Sequence, residues 1–323
     1  MSIGRILRFG FDPQTNVFLR QVFSHPLESA YRLLRTLGQD EEEKQLFLLR
    51  NLAMGLPERD AANFLLEIKN LMEIQLDGFS MFPYPYREGE DERNCVESGF
   101  DKKVRLPYVI HKGMFFFGPR DQNVEETERF YRYYVEDEGL LGTGRRTKSP
   151  HSYVDADFKV EYGDVVVDIG CSDALFAFDN AQQASRIYLF EAWKRWLPVL
   201  EASFAPYAEK TRIFTKLVSD VTNKKQIRLA DAIQEGGSSH YFIKMDIEGG
   251  ERAVLASSAD FLRSNQVKLS CCVYHRQDDA KIISSMLKEM GFSVRYSDGY
   301  MLPLCNGMHY PYFRHGVIYA INY

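Results

Sequence analysis

The sequence predicts an α/β protein with a Rossmann-like sheet, preceded by a helical N-terminal extension. In one block, the apolar run Val165–Val167 leads into the turn residues Asp168 and Gly170. In a second block, the apolar run Arg186–Phe190 ends at the acidic residue Glu191. Buried parallel strands consist of such continuous apolar runs. Open α/β sheets bind ligands at the carboxyl ends of their strands, so both polar ends are candidate ligand contacts.

The spacing between these two blocks indicates a ligand that contains a ribose. Glu191 follows Asp168 by 191 − 168 = 23 positions, close to the roughly 20 residues at which a carboxylate accepts ribose hydroxyls. Gly170 lets a ligand approach the backbone closely, and a helix is predicted over residues 174–183. We expect cofactor contacts in both blocks, and the candidates are Asp168, Gly170, Cys171, Ser172, Glu191 and Ala192.

The turn lacks the G-x-G-x-x-G fingerprint through which helix N-terminal amides hold a pyrophosphate. Asp168 and Asp173 would repel a pyrophosphate and suit a cationic ligand. S-adenosylmethionine is such a ligand, because it carries a sulfonium, an ammonium and the ribose hydroxyls that Glu191 would accept. The alternative is a plain βαβ unit whose acidic residues cap helices, since short glycine turns are common.

A second group of acidic residues follows the apolar run 241–245, which predicts another parallel strand. Asp246, Glu248 and Glu251 lie within six positions, and Gly249 and Gly250 open a helix. Three adjacent carboxylates repel one another and favour a cation, a metal or a base with a raised pKa. The alternative is an acidic helix N-terminus that is stabilised by the helix dipole, and Glu251 is the residue best suited to that role.

Several blocks of this sequence resemble the FkbM-type S-adenosylmethionine-dependent methyltransferases. The resemblance covers roughly residues 149 to 298, and Lys-Met-Asp-Ile-Glu-Gly-Gly-Glu is its most specific block. Ala174 stands where the family commonly carries a second glycine. The similar blocks are 165–172, 189–192, 243–255, 272–279, 282–287 and 291–292.

The resemblance implies a Rossmann-like methyltransferase sheet, S-adenosylmethionine as the cofactor and O-methylation of sugar or polyketide-like hydroxyls. It also implies that Asp168, Gly170 and Glu191 contact the cofactor. Asp246 would lie at the strand end that faces the transferred methyl group.

Methyl transfer to a hydroxyl is an in-line displacement that depends on orientation and gains from a general base or a metal. The catalytic candidates are Asp246, Glu248, Glu251 and His275. His275 follows the apolar run 267–274, and its ordinary pKa of about 6.5 suits a base near neutrality. Its alternative role is a hydrogen bond to Asp278 or Asp279 within a turn.

A divalent ion such as Mg²⁺ is the less favoured alternative at this position. Asp246, Glu248 and His275 offer suitable ligand types, but the sequence has no tight metal-ligand spacing, so no metal ligand is assigned. Lys244 is expected either to help bind the substrate or to pair with an acid.

Three further residues are secondary candidates. Ser219 and Asp220 follow a predicted strand end at 216–218 and would border the adenine, with a solvated turn as the alternative. His151 follows a basic loop, residues 142–148, that is expected either to close over an anionic group or to be solvated.

The chain of 323 residues is long enough for two domains. We predict a helical and mixed region over 1–148, which binds the substrate, caps the site or mediates homo-oligomerisation, and a methyltransferase domain over 149–323. Amphipathic stripes predict three helices before Asp77. Further along, the patterns predict a linker or loop at 79–99, one or two strands at 107–117, a helix at 124–138 and a final strand at 316–321 that is antiparallel to the others.

Charge and hydropathy exclude several classes of protein. The net charge of −5 and the pI of about 5.9 give no basic field for nucleic acid, so the expected acceptor is a small molecule or a glycan. No apolar run approaches the ~18 residues needed to span a bilayer, and the first residues lack the apolar region of a signal peptide. These features predict a cytoplasmic protein. The five irregularly spaced cysteines indicate neither a disulfide framework nor a zinc site, and Cys171 is expected to be a small buried packing residue beside the cofactor.

The sequence therefore predicts an S-adenosylmethionine-dependent O-methyltransferase that acts on a carbohydrate or glycolipid hydroxyl. One alternative is an NAD-dependent nucleotide-sugar enzyme, against which the missing glycines count. The other is a catalytically inactive cofactor-binding or scaffold protein. The presence of Asp168, Glu191, Asp246 and His275 argues against the second alternative.

Overall fold

The computed structural model describes residues 81–84, 96–142, 149–233, 240–303 and 314–323. The chain divides into two compact units, residues 1–86 with 300–314 and residues 87–299 with 315–323. In the first unit, strand β1 (Met81–Tyr84) pairs antiparallel with strand β13 (Tyr300–Pro303). The predicted N-terminal helices and most of the basic loop lie outside the described residues.

The second unit contains the remaining described elements. Its strands are Ser98–Asp101 (β2), Leu106–His111 (β3), Met114–Phe117 (β4), Val165–Ile169 (β5), Arg186–Phe190 (β6), Thr211–Phe214 (β7), Leu217–Val218 (β8), Gln226–Ile227 (β9), His240–Met245 (β10), Gln266–Cys272 (β11), Ser293–Tyr296 (β12) and Val317–Ile321 (β14). Its α-helices are Val124–Arg132 (α1), Leu175–Asp179 (α2), Leu197–Ser203 (α3), Leu229–Ala232 (α4), Glu251–Ser257 (α5), Ala259–Ser264 (α6) and Asp279–Glu289 (α7). Its 3₁₀ turns are Lys194–Trp196 and Ala205–Lys210, and a π-helix, Tyr133–Asp137, continues α1.

Seven strands form one sheet in the order β12-β14-β11-β10-β5-β6-β7. The strands β7, β6, β5, β10 and β11 are mutually parallel, and β14 runs antiparallel to both of its neighbours. The strand order reverses between β5 and β10, which is where open α/β sheets bind ligands. The predicted Rossmann-like sheet and its antiparallel last strand are therefore confirmed.

The central strands are buried on both faces, as their continuous apolar sequences predict. All five residues of β5 are buried, and so are five of the six residues of β10. Val167, Ile243 and Leu269 have no exposed surface and lie in the core formed by these strands and β11. This packing fixes the strand ends from which the candidate site is built.

Residues 98–117 form a small sheet in the order β2-β3-β4, so the predicted pair of strands at 107–117 is confirmed. Strand β2 lies partly within the stretch that was expected to be a linker. Leu106 and Phe117 of this sheet pack against Val199 of α3, which ties the small sheet to the larger one. The domain boundary predicted at residue 148 stays a prediction.

The helix after β5 is shorter than the predicted span of 174–183. Ala174 has a φ of +61°, so helical geometry begins only at Leu175. At the other end, the side chain of Asn180 donates to the Phe176 carbonyl at 2.8 Å and satisfies an otherwise open acceptor of the last turn. Among the described residues, none of the helices combines the length and the apolar character required to cross a bilayer.

Candidate active site

The turn after β5 lies against the segment that follows β10. Gly170 has a φ of +72°, and a Cβ atom at this position would lie 1.9 Å from the Asp246 carbonyl oxygen. Only glycine fits such a close approach. The Gly170 and Cys171 amides donate to the Phe190 carbonyl at 2.9 and 3.2 Å, which fixes the turn to the end of β6.

Glu191 lies at the end of β6 and binds the same turn. Its Oε2 atom accepts from the Ser172 amide at 3.0 Å, and its Oε1 atom accepts from the Trp193 amide at 2.6 Å. Each carboxylate oxygen has a further acceptor site. Glu191 is partly exposed, as is the adjacent Ala192, so ribose hydroxyls could still bind there.

Asp168 lies beneath the turn and pairs with Lys244. Lys244 Nζ lies 3.1 Å from Asp168 Oδ1 and donates to the Gly170 carbonyl at 2.7 Å, and both side chains are buried. Burial lowers the pKa of Lys244, but the charges of Asp168 and Asp246 outweigh this effect and raise it above its ordinary value. Lys244 therefore pairs with an acidic residue, which was one of the roles predicted for it. Asp168 is buried beneath the turn and supports it through Lys244.

Asp246 is the centre of a polar cluster at the end of β10. The Tyr153 hydroxyl donates to Oδ2 at 2.8 Å, and His151 Nε2 lies 3.4 Å from the same oxygen. His275 Nε2 lies 3.3 Å from Oδ1. Both oxygens of one carboxylate therefore face an imidazole.

Each of these two imidazoles is bound on its other nitrogen by a glutamate. His151 Nδ1 lies 2.9 Å from Glu138 Oε1, and His275 Nδ1 lies 3.0 Å from Glu251 Oε1. Two glutamate–histidine pairs thus converge on Asp246. A carboxylate on one imidazole nitrogen orients the ring and stabilises its protonated form.

The charges in this cluster favour an ionised aspartate and protonated histidines. Burial lowers the pKa of His151, but Glu138 and Asp246 outweigh it and raise the pKa to about 10. For His275, burial is outweighed by Glu251, Asp246 and Glu248, so its pKa is also raised. Burial would raise the pKa of Asp246, but His151, Lys244 and His275 hold it well below its usual range. Asp246 is therefore a weak proton acceptor.

The two glutamates near His275 differ in their surroundings. Glu251 begins α5, is fully buried and accepts from the Ile247 and Gly249 amides at 3.0 and 3.4 Å. It therefore combines its predicted role at a helix N-terminus with the pairing to His275. The Glu248 side chain is 90 % exposed, and its Oε2 atom lies 3.5 Å from His275 Nε2.

Asp278 and Asp279, the alternative partners predicted for His275, bind a different residue. Arg252 lies 2.5 Å from a carboxylate oxygen of each of them. The His275 side chain lies among Asp246, Glu248 and Glu251, and its catalytic role stays a prediction.

Ser219 and Asp220 lie in a local turn. They follow β8, which pairs with β9, whereas the strand in the large sheet already ends at Phe214. The Ser219 hydroxyl donates to Asp220 Oδ1 at 3.0 Å and accepts from Gln226 Nε2 at 3.2 Å. The strand end predicted at residues 216–218 therefore lies outside the seven-stranded sheet, and the link of both residues to the adenine stays a prediction.

The cysteines of the site are buried thiols. Burial raises the pKa of Cys171 and of Cys272 well above the ordinary value, so neither is a ready nucleophile. Cys272 Sγ lies 3.7 Å from His151 Nε2. The expectation that Cys171 is a buried packing residue is confirmed by its 4 % exposure.

Two sets of atoms have a spacing that a metal ion could use. Asp246 lies with His151 and Cys272 in one set and with Glu251 and His275 in the other, and the atoms of each set lie within 4.8 Å of one another. A divalent ion would have to compete with Lys244 and two protonated imidazoles for the same carboxylate. A metal therefore stays the less favoured alternative.

Sequence reasoning identified the Asp246, Glu251 and His275 part of this cluster and had His151 only as a secondary candidate. It missed Glu138 and Tyr153. Glu138 directly follows the π-helix and contacts His151, whereas Tyr153 donates to Asp246, and no periodic pattern or motif in the sequence connects either residue to the cluster. The nearest signal was the polar block 149–153, which directly precedes the sheet domain.

The fold is an α/β fold with a Rossmann-like, mostly parallel sheet. Residues 202–294 match the family model of the methyltransferase FkbM domain, whereas a search of curated proteins returned no match. The matched residues include β10, Asp246 and His275. The turn after β5 and Glu191 precede the matched segment, so their ligand roles stay predictions.

Solved structures include similar methyltransferases. Methyltransferase FkbM from Methylobacillus flagellatus KT is 18% identical, with a TM-score of 0.39 over 50% of this chain and 44% of that chain. An rRNA methylase from Streptococcus thermophilus is 12% identical, with a TM-score of 0.34, and the match covers 50% of this chain and 88% of that chain. Precorrin-6y C5,15-methyltransferase from Geobacter metallireducens GS-15 is 15% identical, with a TM-score of 0.33, and the match covers 50% of this chain and 80% of that chain. The present chain thus spans less than half of the Methylobacillus protein.

Proposed function

We propose that this protein is an S-adenosylmethionine-dependent O-methyltransferase that acts on a hydroxyl of a carbohydrate or glycolipid. The observation that supports it most strongly is the contact between the Gly170 turn and Asp246. A Cβ atom on Gly170 would lie 1.9 Å from the Asp246 carbonyl oxygen. A cofactor at the turn and a hydroxyl at the Asp246 cluster would therefore be neighbours.

The residues of the turn fit the cofactor. The partly exposed Glu191 carboxylate would accept ribose hydroxyls, and Gly170, Cys171 and Ser172 would present backbone to the ligand. Ala192, Ser219 and Asp220 are the proposed neighbours of the adenine. When bound, S-adenosylmethionine supplies an electrophilic methyl group on a sulfonium. Asp173 beside the turn, together with the missing glycine fingerprint, counts against NAD.

We assign the role of general base to His275. Its Nε2 atom faces Asp246 and the exposed Glu248, so an acceptor hydroxyl can replace Glu248 there. While a bound S-adenosylmethionine would supply the methyl group to the hydroxyl oxygen and leave as the thioether, a neutral His275 would take the hydroxyl proton on Nε2. Asp246 would stabilise the imidazolium, and Glu251 would hold the ring from Nδ1.

The same cluster argues against Asp246 as the base. Its pKa is held well below the usual range, so it has little affinity for a proton at neutral pH. Its role is to stabilise positive charge. The Glu248 side chain is 90 % exposed and is therefore hydrated, and Glu251 already accepts from two backbone amides.

The acceptor and the surroundings of the enzyme stay proposals. The carbohydrate assignment depends on the resemblance to FkbM-type enzymes. The net charge of −5 favours a small molecule or glycan over a nucleic acid. Cytoplasmic location and homo-oligomerisation through the N-terminal region are predictions of the sequence alone.

The proposal is tested with wild-type protein and the Asp246→Asn variant. Calorimetry measures the binding of S-adenosylhomocysteine, and radiolabelled S-adenosylmethionine measures methyl transfer to a panel of glycosides. We expect the Asp246→Asn variant to bind S-adenosylhomocysteine as the wild type does and to transfer methyl groups about 10²–10³-fold more slowly. The matched control is Asp260→Asn, because the Asp260 side chain is fully exposed on α6.

Each outcome has a distinct meaning. A wild-type protein that binds no S-adenosylhomocysteine would rule out the proposed function, and fluorescence of a bound nicotinamide would then favour the NAD alternative. Binding without turnover on any acceptor would favour the inactive scaffold. Full activity of Asp246→Asn would remove Asp246 from the mechanism.

A further inference from the structure

An aromatic pocket lies beside the cofactor turn and has no role in the mechanism above. One wall comes from β4, the loop after it, α1 and the adjoining π-helix. Asp173 and the 3₁₀ turn at 194–196 form the other wall. Its aromatic lining consists of Phe116, Phe117, Phe130, Tyr131, Tyr134 and Trp196.

We propose that this pocket is the acceptor site and that it takes an uncharged sugar ring. This inference rests on the proposed function, because it names the place and the class of the acceptor for that reaction. Aromatic faces stack against the apolar faces of a ring, and a few polar groups then fix its orientation.

The polar groups of the pocket favour a neutral polyol over a phosphate or a nucleotide. Asp173 is partly exposed, and its Oδ1 atom accepts from the Leu175 amide at 3.1 Å, so the carboxylate has further sites for hydroxyl donors. Burial raises the pKa of Asp173 to about 6. Arg195 is the basic side chain among the described lining residues. It already lies 3.0 Å from Asp121 and stacks on Trp196 at 5.0 Å.

Tyr134 connects the pocket with the catalytic cluster. Its ring lines the pocket, and burial together with the charges of Asp173, Glu138 and Asp246 raises the pKa of its phenol. Tyr134 lies four residues before Glu138, whose carboxylate is 2.9 Å from His151 Nδ1 in the cluster. A ring held in the pocket would also lie beside Asp173, which follows the Gly170 turn.

The origin of the lining residues also favours an acceptor over the cofactor. Most of them come from residues 116–134, which precede the large sheet, whereas the proposed cofactor contacts lie at the ends of sheet strands. Segments added to a common fold supply substrate specificity, while the sheet holds the shared cofactor.

Tryptophan fluorescence tests the pocket directly. The chain contains two tryptophans, Trp193 and Trp196, so the Trp193→Phe variant leaves Trp196 as the reporter. It is titrated with methyl glycosides of glucose, galactose, mannose and rhamnose, and with glucose 6-phosphate, both with and without S-adenosylhomocysteine. We expect a saturable change in emission with at least one methyl glycoside and about tenfold weaker binding of the phosphate. The absence of any saturable change with these glycosides would overturn the inference.

Two lining variants and one control locate the binding. Phe130→Ala is tolerated because Phe130 is 45 % exposed, and Asp173→Asn keeps an acceptor for the Leu175 amide. Each is expected to weaken glycoside binding about tenfold. Phe130→Ala is also expected to leave S-adenosylhomocysteine binding unchanged, because Phe130 lies on α1 and not on the cofactor turn. The control is Phe115→Ala, which removes a ring that is 50 % exposed and outside the pocket lining.

The two proposals fail in different ways. Glycoside binding at Trp196 by a protein that binds no S-adenosylhomocysteine would support the pocket and contradict the proposed methyl transfer. A loss of S-adenosylhomocysteine affinity in Phe130→Ala would make the pocket part of the cofactor site and overturn the inference.

Discussion

Lys244 and Asp168 form a buried ion pair, with Lys244 Nζ 3.1 Å from Asp168 Oδ1. The two residues lie opposite each other on the adjacent strands β10 and β5. The same ammonium group donates to the Gly170 carbonyl at 2.7 Å. The pair therefore links the interior of the sheet to the turn that we expect to hold the cofactor.

Replacing Lys244 by methionine would leave the Asp168 charge buried without its partner. We expect Lys244→Met to lower the free energy of unfolding by about 3–5 kcal/mol and to weaken S-adenosylhomocysteine binding at least tenfold. Urea denaturation and calorimetry measure the two effects. Adding Asp168→Asn should recover part of the stability, because it removes the uncompensated charge.

Lys268→Met is the matched control for that substitution. Lys268 is also buried on a central strand, but its partner Glu161 is 55 % exposed and remains hydrated when the lysine is lost. A smaller loss of stability and unchanged cofactor binding are expected. Equal effects of the two lysine variants on cofactor binding would contradict a specific link between Lys244 and the turn.

Gly170→Ala tests the close approach of the turn to Asp246. The new Cβ would meet a backbone oxygen, and the φ of +72° is itself unfavourable for alanine, so loss of cofactor binding and a large loss of stability are expected. Gly163→Ala is the control, since Gly163 has a φ of +92° but open space around it. That variant should cost about 1–2 kcal/mol and bind the cofactor normally. Thermal unfolding and calorimetry compare the two.

Glu191→Gln tests the proposed ribose contact. The amide side chain keeps one oxygen for a backbone amide but loses the charge and one acceptor, so S-adenosylhomocysteine should bind about ten- to a hundredfold more weakly. Calorimetry measures the change. Glu201→Gln, on the exposed face of α3, should bind as the wild type does. Wild-type affinity in the Glu191 variant would exclude the ribose contact.

The pH dependence of the reaction tests His275 as the base. Glu251, Asp246 and Glu248 raise its pKa above 6.5, and only the neutral imidazole can accept a proton. We therefore expect kcat/KM to rise with pH through a value above 6.5 and to be low in acid. The raised pKa arises from the carboxylates, so Asp246→Asn should move the inflection to lower pH. A rate without any inflection above 6.5 would argue against His275.

Chelation tests the metal alternative. Lys244, His151 and His275 already compensate the charge of Asp246, so treatment with EDTA should leave methyl transfer unchanged. The measurement is the initial rate before and after chelation, with Mg²⁺ added back. Activity that disappears with EDTA and returns with Mg²⁺ would favour the metal interpretation.

Three central strands of the fold were predictable because each has a local signature. The apolar runs at 165–167, 186–190 and 241–245 are buried on both faces, and their burial follows from composition alone. The helix after β5 was predicted too long, because the left-handed Ala174 and the capping Asn180 side chain are details of backbone geometry. The strand β2 was missed since its sequence, Ser-Gly-Phe-Asp, has weak hydrophobic alternation.

The sequence by itself determined the sheet, the glycine turn and the group of acids after β10, because residues close together in the chain encode strands, turns and their ends. Only the tertiary structure decided how these acids are used. It paired Asp168 with Lys244, it brought His151 and Tyr153 from a preceding segment to Asp246, and it placed Glu138 against His151. The protonation of such groups depends on burial and on charges a few ångströms away. Those distances are set by folding and have no counterpart in the spacing of residues along the chain.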